Sequence, residues 1–207
     1  MFDFSLALGV LEIFGLIFGT LAIALLIKQN IWTWPIGIVY TLVSIYIFFS
    51  AKLYADLTLH IFYLIMSVYG WFFWLRGGSR GNLILSVSRE SKRTLFILLL
   101  LCGIGIYASG TLLTSYTAAE LPYWDNTTSI LSLVAIWLQS RKKIESWMLW
   151  LVVDILAVGI YFYKEIYFYS ILYTIYIVMA FIGYFEWHKT YKHEYRNHSH
   201  DRSGIVG

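Results

Sequence analysis

Long apolar runs separated by short polar or basic breaks make up nearly all of this chain. They fall at residues 5–27, 33–50, 53–75, 94–113, 120–139, 145–163 and 165–187. Each is close to the about 20 helical residues that cross a ~30 Å hydrocarbon core. The pattern predicts an all-α integral membrane protein of seven transmembrane helices in a single domain, with a polar tail at 188–207. The first run opens Met-Phe-Asp, without the basic stretch of a signal peptide, and it is long. It is therefore read as a spanning helix.

The runs repeat at one constant offset, the one that separates Trp34 from Trp147. The same offset matches Tyr54 with Tyr167, Tyr63 with Tyr176, Gly70 with Gly183 and Trp74 with Trp187. Phe49 and Phe162, or Met66 and Met179, hold the same register. Apolar stretches match by accident, but Trp, Tyr and Gly keeping one register over three segments do not. The repeat relates the first three helices (5–75) to the last three (120–187) and leaves 94–113 without a counterpart. A three-helix unit ends on the side opposite its start, so a second copy in the same orientation needs one extra crossing. The expectation is a 3+1+3 arrangement of parallel duplicated three-helix bundles, an architecture of secondary transporters with a site near the midplane. Gly15 and Gly19 are spaced for close helix packing in the first helix.

Composition agrees with a lipid environment: 59% hydrophobic residues, 13% charged and a mean hydropathy of +0.69. The basic residues are one-sided. Lys28, the group from Arg76 to Arg93, Arg141 to Lys143 and the tail cluster from Lys189 to Arg202 lie on one face, leaving only Lys52 and Lys164 opposite. By the positive-inside rule the N-terminus is outside and the C-terminus cytoplasmic. The net charge of +3 reflects this asymmetry and gives no reason to expect nucleic acid. The single Cys102 lies in a spanning run, so neither a disulfide framework nor a metal cluster is expected. No His-Glu-x-x-His or Gly-x-Ser-x-Gly motif is present, and no enzyme, catalytic residue or cofactor is expected. His193, His198 and His200 could hold a metal weakly or simply belong to a solvated end. A retinal-type receptor needs a lysine deep in its last helix, and none stands between Lys164 and Lys189.

Polar residues within the runs are the candidate site. Asp154 lies nine residues beyond Glu145, about 14 Å along a helix and so near the midplane. A carboxylate there costs several kcal/mol unless it is paired or wet. It either serves a ligand or bonds a neighbouring helix. Trp147, Trp150 and Asp154 share one helix face. Two indoles beside an acid suit a flat aromatic cation, although Trp also anchors helices at interfaces. The first repeat offers Trp34 and Thr41 at the matching positions. His60 and Tyr63 correspond to Tyr173 and Tyr176, either as ligand contacts or as packing. Glu12 and Asp125 are also repeat partners and, with Asn126, form either an external cation-attracting vestibule or solvated helix ends.

The segments Trp34-Pro-Ile-Gly-Ile-Val39, Lys52-Leu-Tyr-Ala-Asp56, Tyr69-Gly-Trp71 through Trp74, Trp124-Asp-Asn-Thr-Thr128, Leu131-Ser-Leu-Val-Ala135, Arg141-Lys-Lys-Ile-Glu145 and Trp147-x-x-Trp150-x-x-x-Asp154 are also informative. Together they resemble the Pnu family of bacterial vitamin transporters, and within it the PnuC-type nicotinamide riboside group. The resemblance implies a relative of SWEET-type transporters in the bacterial inner membrane, often trimeric. It implies facilitated diffusion of a vitamin nucleoside that a cytoplasmic kinase then traps. Nicotinamide riboside is a pyridinium cation, which suits the Trp/Asp face. The chain departs from the pattern at Thr41, where many members have Asn, and at His60 and Ile136, where many have Gln. These changes keep thiamine, another flat cation carried by related proteins, as the second candidate substrate.

Overall fold

The computed structural model describes residues 4–50, 52, 54–77, 85–116 and 122–203, with side chains described for most of 13–196. Among these residues seven helices follow in order: α1 (Phe4–Ile27), α2 (Thr33–Ser50), α3 (Tyr54–Arg76), α4 (Lys92–Tyr116), α5 (Pro122–Ser140), α6 (Glu145–Tyr163) and α7 (Tyr167–Ser203). Among the described residues there is no strand, only an isolated bridge between Ser88 and Lys143. Among the described residues, five helices are long and apolar enough to cross a membrane: α2, α3, α4, α6 and α7. The described side chains of α1 add the apolar stretch Ile13–Ile27. α5 is more polar because Asn126, Ser132 and Ser140 on it are all buried against protein.

The apolar runs predict the first six helices to within a few residues. The seventh differs, because α7 continues from the spanning run to Ser203 where a tail was expected from 188. Polar contacts hold its extension: Gln29 Nε2 donates to Thr190 Oγ1 at 3.0 Å, and the Arg89 guanidinium lies 5.6 Å over the Tyr191 ring. The side chains of His198 and His200, on that extension, lie outside the described residues.

Six helices close into a ring. Among the described residues, α1 packs on α2, α2 on α3, α3 on α5, α5 on α6, α6 on α7 and α7 back on α1, while α4 touches only α5. The order of contacts is unchanged when α1, α2 and α3 are exchanged with α5, α6 and α7. The outside of the ring is apolar, with Phe49, Phe72, Phe162 and Phe185 each more than half exposed. Hydroxyls within the helices bond their own backbone, as Thr41 does to Gly37 O at 2.7 Å and Thr174 to Ser170 O at 2.8 Å. In lipid, that internal satisfaction is what lets such residues sit at membrane depth.

The turns match in pairs. Among the described residues, the non-glycine positions with left-handed backbone are Gln29 (φ 55°) and Lys142 (φ 57°), and Lys52 (φ 59°) and Glu165 (φ 59°). Each pair keeps the register that relates Trp34 to Trp147. Asn30 N donates to Leu25 O at 2.9 Å as Lys143 N does to Leu138 O, also at 2.9 Å. Each pair closes a helix in the αL conformation, freeing the chain to reverse.

On the face where α1, α3, α5 and α7 all have their C-terminal ends, four indoles form a cluster. Trp34 meets Trp74 edge-on at 5.3 Å, Trp147 meets Trp187 edge-on at 5.4 Å, and Trp74 and Trp187 lie 6.1 Å apart. Trp34 rests on Gly70 and Trp147 on Gly183, and a Cβ at either glycine would overlap the ring. Overpacking costs about 1–3 kcal/mol. Gly183→Ala should therefore lower the melting temperature in detergent, whereas Gly103→Ala, whose Cβ would meet nothing within 4 Å, should not. Equal melting of the two variants would refute this packing.

Lys142 caps the cluster from below. Its Nζ lies 4.6 Å over the Trp74 ring and donates to Leu85 O at 2.7 Å. Burial in this loop pushes its ammonium down to about 8, with Glu194 opposing the shift. The segment carrying Leu85 is strapped on by Ser88 N to Lys142 O and Ile144 N to Ser88 O, both at 3.1 Å.

Candidate functional site

α2 and α6 present equivalent faces to the middle of the ring. At about 100° per residue, positions 34, 37, 41 and 44 of α2 fall within an arc of about 80°, as do 147, 150, 154 and 157 of α6. Trp34, Thr41 and Ser44 are buried on the first, and Trp147, Asp154 and Ala157 on the second. The exposed side chains lie opposite, at Val39, Leu42 and Tyr46 on α2 and at Met148, Val152 and Ile155 on α6. Both helices therefore turn their polar groups inward.

Asp154 is 6% exposed. Among the described residues its carboxylate forms neither an ion pair nor a hydrogen bond; the ion pairs there are Lys143–Glu90 and Lys164–Asp125. Tyr63, Tyr173 and Tyr176 all lie within electrostatic reach of it. A buried carboxylate lacking a basic partner is neutralised either by a proton or by a cation from outside the chain.

An aromatic cage borders the acid. The Trp150 ring is 6.5 Å from Tyr63, and Tyr63 is 5.3 Å from His60. Tyr173 sits 5.6 Å from Tyr176 and stacks on Tyr161 at 5.3 Å. His60 Nδ1 is 2.9 Å from Asp56 O, and its ring packs on Phe48 at 4.7 Å. Two residues that were not among the candidate site residues fix the cage from α5. Gln139 Oε1 accepts the Trp150 indole N–H at 2.6 Å, and Ser132 lies against the Tyr63 hydroxyl. They are two helical turns apart, on one face of α5.

The structure thus gathers Asp154, Trp150, Tyr63, His60, Tyr173 and Tyr176 around the middle of the ring, with Thr41 on the facing helix. Trp34 and Trp147 lie about two turns nearer the basic face, in the tryptophan cluster, and among the described residues their indole N–H groups have no partner. Asn126 is directed elsewhere. Its amide donates to Ile106 O at 3.0 Å and to Ser109 Oγ at 2.8 Å, tying α5 to α4 outside the ring. Asp125 pairs with Lys164 at 2.9 Å, and the side chain of Glu12 lies outside the described residues. Gly19 receives the Tyr40 ring and the Tyr176 hydroxyl, and Gly15 also faces Tyr40, so this pair gives room to side chains rather than to a second helix backbone.

The family model described as nicotinamide mononucleotide transporter matches residues 9–189. The chain is 28% identical to the nicotinamide riboside transporter PnuC of Escherichia coli (strain K12), over 84% of this chain and 82% of that protein. It is 26% identical to the riboflavin/roseoflavin transporter RibM of Streptomyces davaonensis, over 85% of this chain and 83% of that one. The crystal structure of the vitamin B3 transporter PnuC superposes with a TM-score of 0.69 at 20% identity, covering 90% of this chain and 88% of that chain. At that identity the superposition establishes the shared fold.

Proposed function

The chain belongs to the nicotinamide mononucleotide transporter family, and from that premise we propose that it is a facilitative transporter importing nicotinamide riboside. The observation that carries the substrate class is Asp154, a buried carboxylate in the middle of α6 without an ion pair among the described residues, one helical turn from Trp150 on the same helix face. In this reading the pyridinium ring stacks on Trp150, Asp154 balances its charge, and His60, Tyr63, Tyr173 and Tyr176 line the pocket. Thr41 meets the hydroxylated arm. Trp34 and Trp147 form the floor, where their indole N–H groups, without a partner among the described residues, can donate to the ligand.

The reading takes the fold as a SWEET-like 3+1+3 duplication of parallel three-helix bundles (5–75 and 120–187) joined by the crossing at 94–113. The paired turns, paired Trp–Gly packing and exchangeable ring contacts support it. Alternating access is then a rocking of one bundle against the other about the central site. The side rich in Lys and Arg is taken as cytoplasmic in a bacterial inner membrane, with the N-terminus outside. The family resemblance adds a trimeric assembly and a cytoplasmic kinase that traps the imported nucleoside.

Calorimetric titration of the purified protein with nicotinamide riboside, thiamine and riboflavin tests the substrate. Flux in liposomes with and without a pH gradient tests the mechanism. Nicotinamide riboside should bind most tightly, and its flux should follow its own gradient alone. Tighter binding of the uncharged riboflavin would overturn the counter-ion role of Asp154. Flux driven by the pH gradient would overturn simple facilitation.

A further inference from the structure

The two inward faces differ most where Trp150 stands, because its counterpart in the first repeat is Gly37. Gly37 falls between Trp34 and Thr41 on the inward arc of α2, and both of those neighbours are buried. A Cβ added at Gly37 would meet nothing within 4 Å. The glycines that match across the repeat, Gly70 and Gly183, are instead filled by indole rings. Gly37 is thus an inward position where the helix surface opens onto free space. Helix geometry does not require it, since Gly in a helix interior is less favourable than Ala.

We propose that Gly37 is a specificity-determining position, opening the side of the pathway across from Trp150 to the hydroxylated, non-aromatic arm of a ligand whose ring stacks on Trp150. This rests on the functional reading above and adds to it the orientation of the ligand and the residue that limits its size. The pocket is lopsided: one helix supplies a wall and a charge, and the other supplies room and hydroxyls. Thr41 Oγ1 donates its proton to Gly37 O at 2.7 Å, so its lone pairs remain to accept from a ligand hydroxyl. The carbonyl of Gly37 is thereby satisfied as well, and the opening is bordered by an acceptor.

The test compares wild type with Gly37→Ala and Gly37→Leu in detergent, titrated with nicotinamide riboside and with 1-methylnicotinamide, which keeps the cationic ring and lacks the sugar. Gly37→Leu should lower affinity for the riboside at least 20-fold, Gly37→Ala by less. Affinity for 1-methylnicotinamide should stay within about two-fold, and melting temperatures should match or exceed wild type. Unchanged riboside affinity in Gly37→Leu, or equal loss for both ligands, would overturn the assignment while leaving the transport reading intact. Failure of the wild type to bind either cation would overturn both.

Discussion

Asp154→Asn should weaken binding of nicotinamide riboside by roughly 10- to 100-fold while leaving the protein as stable as before. The substitution keeps shape and removes one charge. Two opposite charges about 5 Å apart attract by about 3 kcal/mol at an effective dielectric of about 20, and a hydrogen bond to a charged group is worth about 1.5–3 kcal/mol. Each step of about 1.4 kcal/mol is a factor of roughly ten in affinity. Stability should hold or rise, because among the described residues Asp154 has no ion pair to lose and a lone buried charge is costly. The sharper readout is discrimination between nicotinamide riboside and its uncharged dihydro form. Wild type should prefer the cation, and Asp154→Asn should bind the two within about three-fold of each other. Retained preference in the variant would remove Asp154 as the counter-ion.

The apolar runs made most of the scaffold legible, since spanning helices are set by length and hydropathy, and both can be read locally. They missed the extension of α7, because residues from 188 on are held by distant loops, Gln29 to Thr190 and Arg89 to Tyr191 and His188, and by packing of Tyr191 on the tryptophan cluster. The left-handed turns at Gln29, Lys52, Lys142 and Glu165 left no sequence signal either. They occur at polar residues rather than at Gly, and emerge as pairs only when the repeat spacing is laid over the backbone angles.

Within the site, helix periodicity placed Trp147, Trp150 and Asp154 on one face but could not say where each ring packs. Gly183 decides this. Its missing side chain admits Trp147 into the four-indole cluster, whereas Gln139 holds Trp150 by its indole N–H. Asn126 shows the opposite limit. A polar residue in a spanning helix invites a functional reading, yet its amide is consumed by Ser109 and Ile106 on the unpaired fourth helix. A face is meaningful only once its neighbour is known, and α4 is the one helix for which the repeat predicts none. Gln139 had a faint signature: it is an amide in an apolar run whose counterpart in the first repeat is Leu26.

Trp150→Leu should cost about 1–3 kcal/mol of binding, or roughly 5- to 150-fold in affinity, by removing the stacking surface for the cationic ring. Trp150→Phe should retain part of it, since a smaller ring still offers a π face. The orientation of the indole matters separately from its presence. Gln139 Oε1 receives the indole N–H at 2.6 Å and the neighbouring Tyr63 ring is 6.5 Å away, so the indole plane is held from its edge. Gln139→Met keeps the bulk and deletes the strong acceptor, and should weaken riboside binding by about 3- to 10-fold, in keeping with a net hydrogen bond of about 1 kcal/mol. In a Trp150→Phe background, where no N–H exists to be held, Gln139→Met should add almost nothing. That non-additivity separates a positioning role from general packing. If the two losses simply sum, Gln139 acts on something other than Trp150, and the aromatic wall is set by Tyr63 and Ser132 alone.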